Sequence, residues 1–193
     1  MIVEGLLTTI NADSELNVAP MGPVVTGDYD SLLLRPFQSS TSYLNLQETR
    51  CGVFHVVDSV AVIAEAAIGR IRQQPAHEPA AVVDGRVLLD CCRWFEFSVA
   101  SIDSTHARSE ITTKIVHRGH RRHFFGFNRA RHAVIEAAIL ASRVHLLDRN
   151  DMLQQFATLR SAVLKTGGEA EIQAFDQLTQ FVERDENELN ESS

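Results

Sequence analysis

The chain has 193 residues, of which 45% are hydrophobic and 22% charged, a balance typical of an ordinary folded domain. Its formal net charge of −7 argues against nucleic acid as the partner of the whole surface, and no apolar run is long enough to predict a membrane span. No apolar stretch follows a basic segment at either terminus, and three cysteines do not make a disulfide framework. We therefore expect a cytoplasmic protein that does not contact a membrane.

Residues 1–120 alternate short apolar runs with turn residues, which predicts antiparallel strands. The second run is interrupted by Pro20 and Gly22, which indicate either a close approach of a ligand to the backbone or an edge that avoids aggregation. About seven short strands with one or two small helices, Tyr43–Thr49 and Val60–Ile68, fit a closed or split barrel. The predicted strands are Ile2–Ile10, Leu16–Val25, Leu32–Arg35, Val53–Val57, Arg86–Cys91, Arg93–Ile102 and one around Ile111–Val116.

The most informative stretch is the one from Arg35 to Asn45. Pro36 ends the preceding strand because proline fixes φ and donates no ladder hydrogen bond. Four hydroxyl residues, 39–42, then precede the Tyr43–Thr49 helix, where a hydroxyl caps the helix and the free N–H groups suit a phosphate. Arg35 adds a planar cation. The stretch indicates either a monophosphate site or a capped helix beside a surface arginine.

Two blocks, Asn17–Gly22 and Arg35–Leu46, resemble the FMN-binding split-barrel, or flavin-reductase-like, superfamily. The stretch Gly126–Ala138 is similar to the helical extension of one branch of that superfamily, and the resemblance covers most of residues 1–150. It implies an α+β fold, with an antiparallel split β-barrel over residues 1–120 followed by a C-terminal helical subdomain over 121–185. Residues 186–193 then form a polar tail. It also implies FMN as the cofactor and a homodimer with flavin near the subunit interface.

The resemblance assigns two groups of flavin contacts. The phosphate and ribityl chain are expected near Arg35, Ser39, Thr41 and Asn45, with Ser40 and Ser42 adjacent. The isoalloxazine ring is expected along Met21, Gly22, Pro36 and Phe37. The sequence indicates no catalytic residue. We predict a flavin-dependent oxidoreductase acting on an unidentified small molecule, and the alternative is a flavin- or ligand-binding module without turnover.

The most basic stretch, residues 117–123, contains three histidines at intervals of three. Interleaved arginines would repel a dication, so we predict no metal site there and favour contact with an anion. A nucleic-acid module using Lys114–Arg131 is the less favoured alternative.

Beyond this stretch the pattern becomes helical. Asn128 is expected to begin a helix reaching about Leu147, so apolar that neighbours or a second subunit should cover it. Within it, Glu136 is interpreted as a buried acid or a member of an ion pair. Asp58 is expected to cap the Val60–Ile68 helix, and two further helices follow from Asp151 onward.

Overall fold

The computed structural model describes the backbone of residues 1–190 and the side chains of residues 1–184. Two compact units are present. The first combines Met1–Val57 with Pro75–Phe124, and the second combines Asp58–Gln74 with the chain from Phe125 onward. The second unit therefore takes in a helix that precedes the last strands of the first.

The first unit contains nine strands and one helix among the described residues. In chain order these are β1 Gly5–Ile10, β2 Leu16–Met21, β3 Val24–Thr26, β4 Ser31–Leu34, α1 Thr41–Thr49, β5 Cys51–Val56, β6 His77–Pro79, β7 Arg86–Leu88, β8 Arg93–Asp103 and β9 Glu110–His120. Seven strands form one antiparallel sheet in the order β2-β1-β5-β8-β9-β4-β3, and β6 and β7 form a separate hairpin.

The large sheet curls back on itself. The backbone N–H of Val25, in β3, donates to the carbonyl of Met1 at 2.8 Å, and Ile2 bridges Val24 just before β1 begins. The two ends of the strand order thus meet through the residues that precede β1. This curled antiparallel sheet, together with the C-terminal helices, is the split-barrel α+β fold that the sequence predicted, and that prediction is confirmed.

Alternating side chains fill the inside of the curled sheet. In β8, Phe95, Phe97 and Val99 point inward and are buried. Leu34 from β4 and Ile111 from β9 are fully buried in the same cluster. Because these strands form the core, the residues just beyond β4 are held against the start of β9.

Two local predictions differ from the structure. The strand expected around Ile111–Val116 is longer, since β9 runs from Glu110 to His120 and so includes the basic residues 117–120. The helix expected to reach Leu147 is shorter, since its regular hydrogen bonding gives way to tight turns after Ala141.

The second unit contains α2 Ala61–Ala67, α3 Arg129–Ala141, α4 Arg149–Thr166 and α5 Glu169–Asn190. Asn128 caps α3, as predicted, by accepting a hydrogen bond from the N–H of Arg131 at 3.1 Å. Asp58 does not cap α2, which has no side-chain cap, because its Oδ2 accepts from the N–H of Phe125 at 2.9 Å.

The small side chains of α3 form its buried face. Ala130, Ala133 and Ala137 are nearly inaccessible, and α2, α4 and α5 pack against the helix. The apolar surface of α3 is therefore covered inside its own unit and needs no second subunit. Glu136, interpreted from the sequence as a buried acid or a member of an ion pair, is exposed.

The end of the chain differs from the predicted polar tail. Residues 186–190 continue α5, while residues 191–193 lie outside the described part of the chain. Across the described residues, none of the helices has both the length and the hydropathy needed to cross a membrane.

Candidate anion-binding site

The pairing of β4 with β9 continues beyond the end of β4. The regular register places Leu34 opposite Ile111, so Arg35 comes directly opposite Glu110. One residue further, the N–H of Ser109 donates to the carbonyl of Pro36 at 3.1 Å. The ladder thus extends into a segment that contains a proline and would be expected to leave the sheet.

This extended ladder places four side chains on one outer face. Leu34 and Pro36 are buried, so by strand alternation Arg35 and Phe37 point outward, and both are exposed. Phe37 forms an isolated bridge with Arg108. We call the four outward residues the outer quartet: Arg35, Phe37, Arg108 and Glu110.

The outer quartet carries one more positive charge than negative. Nε and Nη2 of Arg35 both lie 3.0 Å from Oε1 of Glu110. The guanidinium of Arg108 lies 4.4 Å from the centre of the Phe37 ring, and within the described residues no carboxylate pairs with it. Both side chains of the Arg35–Glu110 pair are 48% exposed, so this pair contributes about 0–1 kcal/mol and can reorganise around a ligand.

Helix α1 begins immediately beyond the outer quartet. Ser40 is its N-cap: its Oγ accepts from the N–H of Tyr43 at 3.2 Å and donates to the carbonyl of Phe37 at 2.7 Å. The N–H groups of Thr41 and Ser42 lie in the first turn, where the helix itself supplies no acceptor. The side chains of Ser39 and Thr41 are exposed there. Donors and hydroxyls at the positive end of a helix suit an anion.

Two of the predicted contact residues face the sheet instead of this exposed segment. Ser42 and Asn45 are buried on the inner side of α1. Asn17 Nδ2 donates to Ser42 Oγ at 3.0 Å, and Asn45 Nδ2 donates to Thr9 Oγ1 at 3.1 Å. These side chains hold α1 against β1 and β2, and so fix where its first turn lies.

Met21 and Gly22 lie four and five residues beyond Asn17 along the chain. Met21 packs against the apolar core, and a side chain at Gly22 would come 2.6 Å from the carboxylate of Glu4. No hydrogen bond or ion pair of the described residues joins either one to the 35–41 segment. The structure therefore places six predicted residues together on one segment: Arg35, Pro36, Phe37, Ser39, Ser40 and Thr41.

The segment 35–41 is fastened to the turn between β8 and β9. Gln38 Nε2 donates to the carbonyls of Ser104 at 2.9 Å and His106 at 2.7 Å. Ser109 Oγ donates to the carbonyl of Pro36 at 3.1 Å, and the hydroxyl of Tyr43 lies 2.8 Å from Ser104 Oγ. The sequence did not single out this turn or its Arg108. The polar residues before the Ile111 strand were the only available signal.

The basic stretch is charge-compensated within the first unit. Arg118 pairs with Asp30 at 2.9 Å and Arg122 pairs with Asp90 at 2.6 Å. The third arginine, Arg121, pairs with a carboxylate of the β6–β7 hairpin, that of Glu78. In the described residues no group of three or more metal-ligating side chains is arranged to hold an ion.

A buried carboxylate lies behind the same stretch. Glu96 has no exposed surface, and its oxygens accept from the N–H groups of Ala81, Val82 and Val83 at 2.7–3.1 Å. Burial raises the pKa of Glu96, but these hydrogen bonds outweigh burial and hold the pKa below its usual value. Glu96 therefore fastens the turn at 81–83 to β8.

Two family models match this chain. A family model described as "Protein of unknown function (DUF447) N-terminal domain" matches residues 3–122, and one described as "Protein of unknown function (DUF447)" matches residues 128–180. No curated protein matches the chain.

Solved structures show the same architecture. The chain is similar to the FMN-bound protein MM1853 from Methanosarcina mazei, of the DUF447 family, with a TM-score of 0.80, 21% identity, and coverage of 93% of this chain and 94% of that one. Nitrilotriacetate monooxygenase component B from Bacillus cereus gives a TM-score of 0.54 at 13% identity, covering 65% of this chain and 73% of that one. The styrene monooxygenase flavin reductase of Pseudomonas putida S12 gives 0.52 at 12%, covering 63% and 82%. These similarities confirm the predicted superfamily fold.

Proposed function

This chain belongs to the DUF447 family, and we propose that it binds FMN, holding the phosphate at the segment Arg35–Thr41. The observation that carries the proposal is the convergence of an exposed arginine and the open first turn of α1 on one segment. The relative MM1853, similar over 94% of its length, is FMN-bound, which supports the same cofactor here.

The donor set of this chain fits a phosphate ester. Arg35 offers charged N–H donors, and Ser39 and Thr41 offer hydroxyls. The first-turn N–H groups of α1 have no acceptor within the helix. Phe37 supplies an exposed apolar surface for a ring, whereas Pro36 is buried. Ser42 and Asn45 act indirectly in this proposal, by fixing α1 in place.

We further propose that the bound flavin makes the protein an oxidoreductase. FMN supplies one- and two-electron redox chemistry when it is bound, and the protein supplies the position and surroundings of the ring. The competing possibility is a flavin-binding module without turnover, because the sequence indicates no catalytic residue. Anaerobic mixing of the FMN-loaded protein with NADH or NADPH distinguishes the two. Bleaching of the flavin absorbance supports the oxidoreductase, and an unchanged flavin spectrum supports the binding module.

A homodimer with the flavin near the subunit interface is part of the same proposal. Phe37 and Leu44 are 42% and 54% exposed beside the start of α1, and a second copy would cover such apolar side chains. Light scattering after size exclusion at micromolar concentration tests this, and a clean monomer contradicts it. None of the three cysteines, Cys51, Cys91 and Cys92, is part of a disulfide, which supports a reducing compartment such as the cytoplasm.

Arg35 provides the direct test of phosphate binding. Arg35→Ala removes a charge-assisted hydrogen bond, and we expect FMN affinity to fall about ten- to a hundredfold. Arg35→Lys should recover only part of it, because an ammonium lacks the planar fork. Thr41→Ala should weaken binding less, since the backbone donors of the helix remain. The measurement is a flavin-fluorescence titration of each variant.

Riboflavin is the matched control because it lacks the phosphate. It should bind the wild-type protein poorly and respond little to these substitutions. If folded Arg35→Ala protein binds FMN as tightly as wild type, the 35–41 segment is only a capped helix beside a surface arginine.

A further inference from the structure

Arg108 is the second cation of the outer quartet, and the proposed function does not yet give it a role. We propose that Arg108 is a second phosphate-binding arginine, so that two strands each contribute one cation and the site favours a dianionic phosphate ester. This inference rests on the proposed binding of FMN at Arg35. It concerns a residue that the sequence did not single out.

The charge balance of the outer quartet requires a second cation. Arg35 and Glu110 form a pair with no net charge, and such a pair alone compensates a dianion poorly. A phosphate monoester carries a charge of about −1.5 to −2 at pH 7. Arg108 supplies the remaining positive charge, because within the described residues no carboxylate pairs with it. The carboxylate of Asp103, opposite Glu110 on β8, instead accepts from the N–H of Thr105 at 2.9 Å.

The cross-strand geometry places both arginines within reach of one anion. Arg35 lies opposite Glu110, and Arg108 bridges Phe37, so the two arginines are diagonal neighbours on the same outer face. Diagonal neighbours across an antiparallel pair lie about 7–8 Å apart at their Cα atoms. Two long side chains from such positions can converge on one phosphate group.

Both guanidinium groups are held with donors to spare. Arg108 is stacked over the Phe37 ring at 4.4 Å, which leaves the N–H groups around the edge of its plane available. Glu110 takes Nε and Nη2 of Arg35 through a single oxygen, which leaves Nη1 available. Glu110 therefore acts as a positioning residue for Arg35.

The test compares FMN with riboflavin for four variants, Arg108→Ala, Arg108→Gln, Arg35→Ala and Lys114→Ala. Lys114 is an exposed cation on the same strand β9, outside the outer quartet, and its substitution removes the same charge. We expect Arg108→Ala and Arg108→Gln to weaken FMN binding roughly five- to thirtyfold, with riboflavin affinity unchanged. Lys114→Ala should stay within about twofold of wild type.

Other outcomes overturn the inference. If Arg35→Ala weakens FMN binding while both Arg108 variants bind it like wild type, Arg108 does not contact the phosphate, although the proposed function stands. Equal losses for FMN and riboflavin assign Arg108 to the support of Phe37 instead. If wild-type protein does not bind FMN, the proposed function and this inference fail together.

Discussion

The first unit contains two groups of arginines near the two ends of β9, and they are balanced in different ways. In the basic stretch, residues 117–123, each of the three arginines has a carboxylate of its own from a distant part of the unit. At the other end of the strand, Glu110 pairs with Arg35, and within the described residues no carboxylate pairs with Arg108. The stretch that is most basic in sequence is therefore compensated, and the less basic group keeps one arginine without a carboxylate partner.

This difference shows that the local density of cationic residues is a poor guide to an anion site. What decides is which of the arginines the fold pairs with a carboxylate. Around Arg118 and Arg122, separate turns supply Asp30 and Asp90. Beside Arg108, the β8–β9 turn brings hydroxyl and carbonyl groups, and its one carboxylate, that of Asp103 opposite Glu110, accepts from the N–H of Thr105 at 2.9 Å and forms no ion pair with Arg108.

The largest expected effect concerns the support behind the basic stretch. Glu96→Ala leaves three backbone N–H groups without their acceptor, and we expect the first unit to lose about 3–5 kcal/mol of unfolding free energy. Trp94, the only tryptophan, donates to Glu96 at 3.4 Å and reports urea unfolding of this unit by fluorescence. The exposed Glu48→Ala is the control, expected within about 0.5 kcal/mol of wild type. A Glu96 variant as stable as this control would show that the carboxylate is dispensable.

The same carboxylate gives stability a defined dependence on pH. The pKa of Glu96 is held below its usual 4.5, so the ionised form stabilises the fold above that value, and this stabilisation is lost as pH falls through the lowered pKa. Glu96→Gln should be less stable at neutral pH and should flatten the acid limb of the stability curve below about pH 4.5. Parallel curves for wild type and Glu96→Gln would contradict this assignment.

A smaller effect is expected from substituting Glu110, the carboxylate that pairs with Arg35. Glu110→Gln keeps an acceptor for Arg35 but removes a negative charge beside the proposed phosphate, so FMN should bind about two- to fivefold more tightly. Asp30→Asn, which removes the partner of Arg118, is the matched control and should leave FMN affinity unchanged. Equal responses of the two variants would erase the distinction between the two arginine groups.

The smallest effect is expected for an arginine of the compensated group. Arg118 and Asp30 are both largely exposed, so Arg118→Ala should cost less than about 1 kcal/mol of stability. FMN affinity should stay within about twofold of wild type, because the fold already neutralises this arginine. A loss as large as that expected for Arg35→Ala would show that the basic stretch contributes to the ligand site after all.

The parts of the fold that depend on neighbours in sequence were predictable. A hydroxyl side chain caps a helix by accepting from the N–H three residues further on, and Ser40 caps α1 in this way through the N–H of Tyr43. Asn128 was likewise identified from the sequence as the cap of α3.

The rest depends on contacts that sequence spacing does not reveal. Arg35 and Glu110 are 75 residues apart, and only the register of β4 against β9 brings them together. Ser42 and Asn45 of α1 face inward because they bond to Asn17 of β2 and Thr9 of β1, which are distant in sequence. A count of basic residues likewise cannot show which carboxylates the turns place beside those residues.

The fastening of the 35–41 segment to the β8–β9 turn has a consequence for loop grafting. Gln38 of the segment donates to two carbonyls of the turn, and Ser109 of the turn donates to the Pro36 carbonyl of the segment. The conformation of each stretch therefore depends on the other. A turn transplanted alone between β8 and β9 would release the segment that leads into α1. The two stretches must therefore be exchanged together, as one cassette, if this barrel is to be given a different ligand.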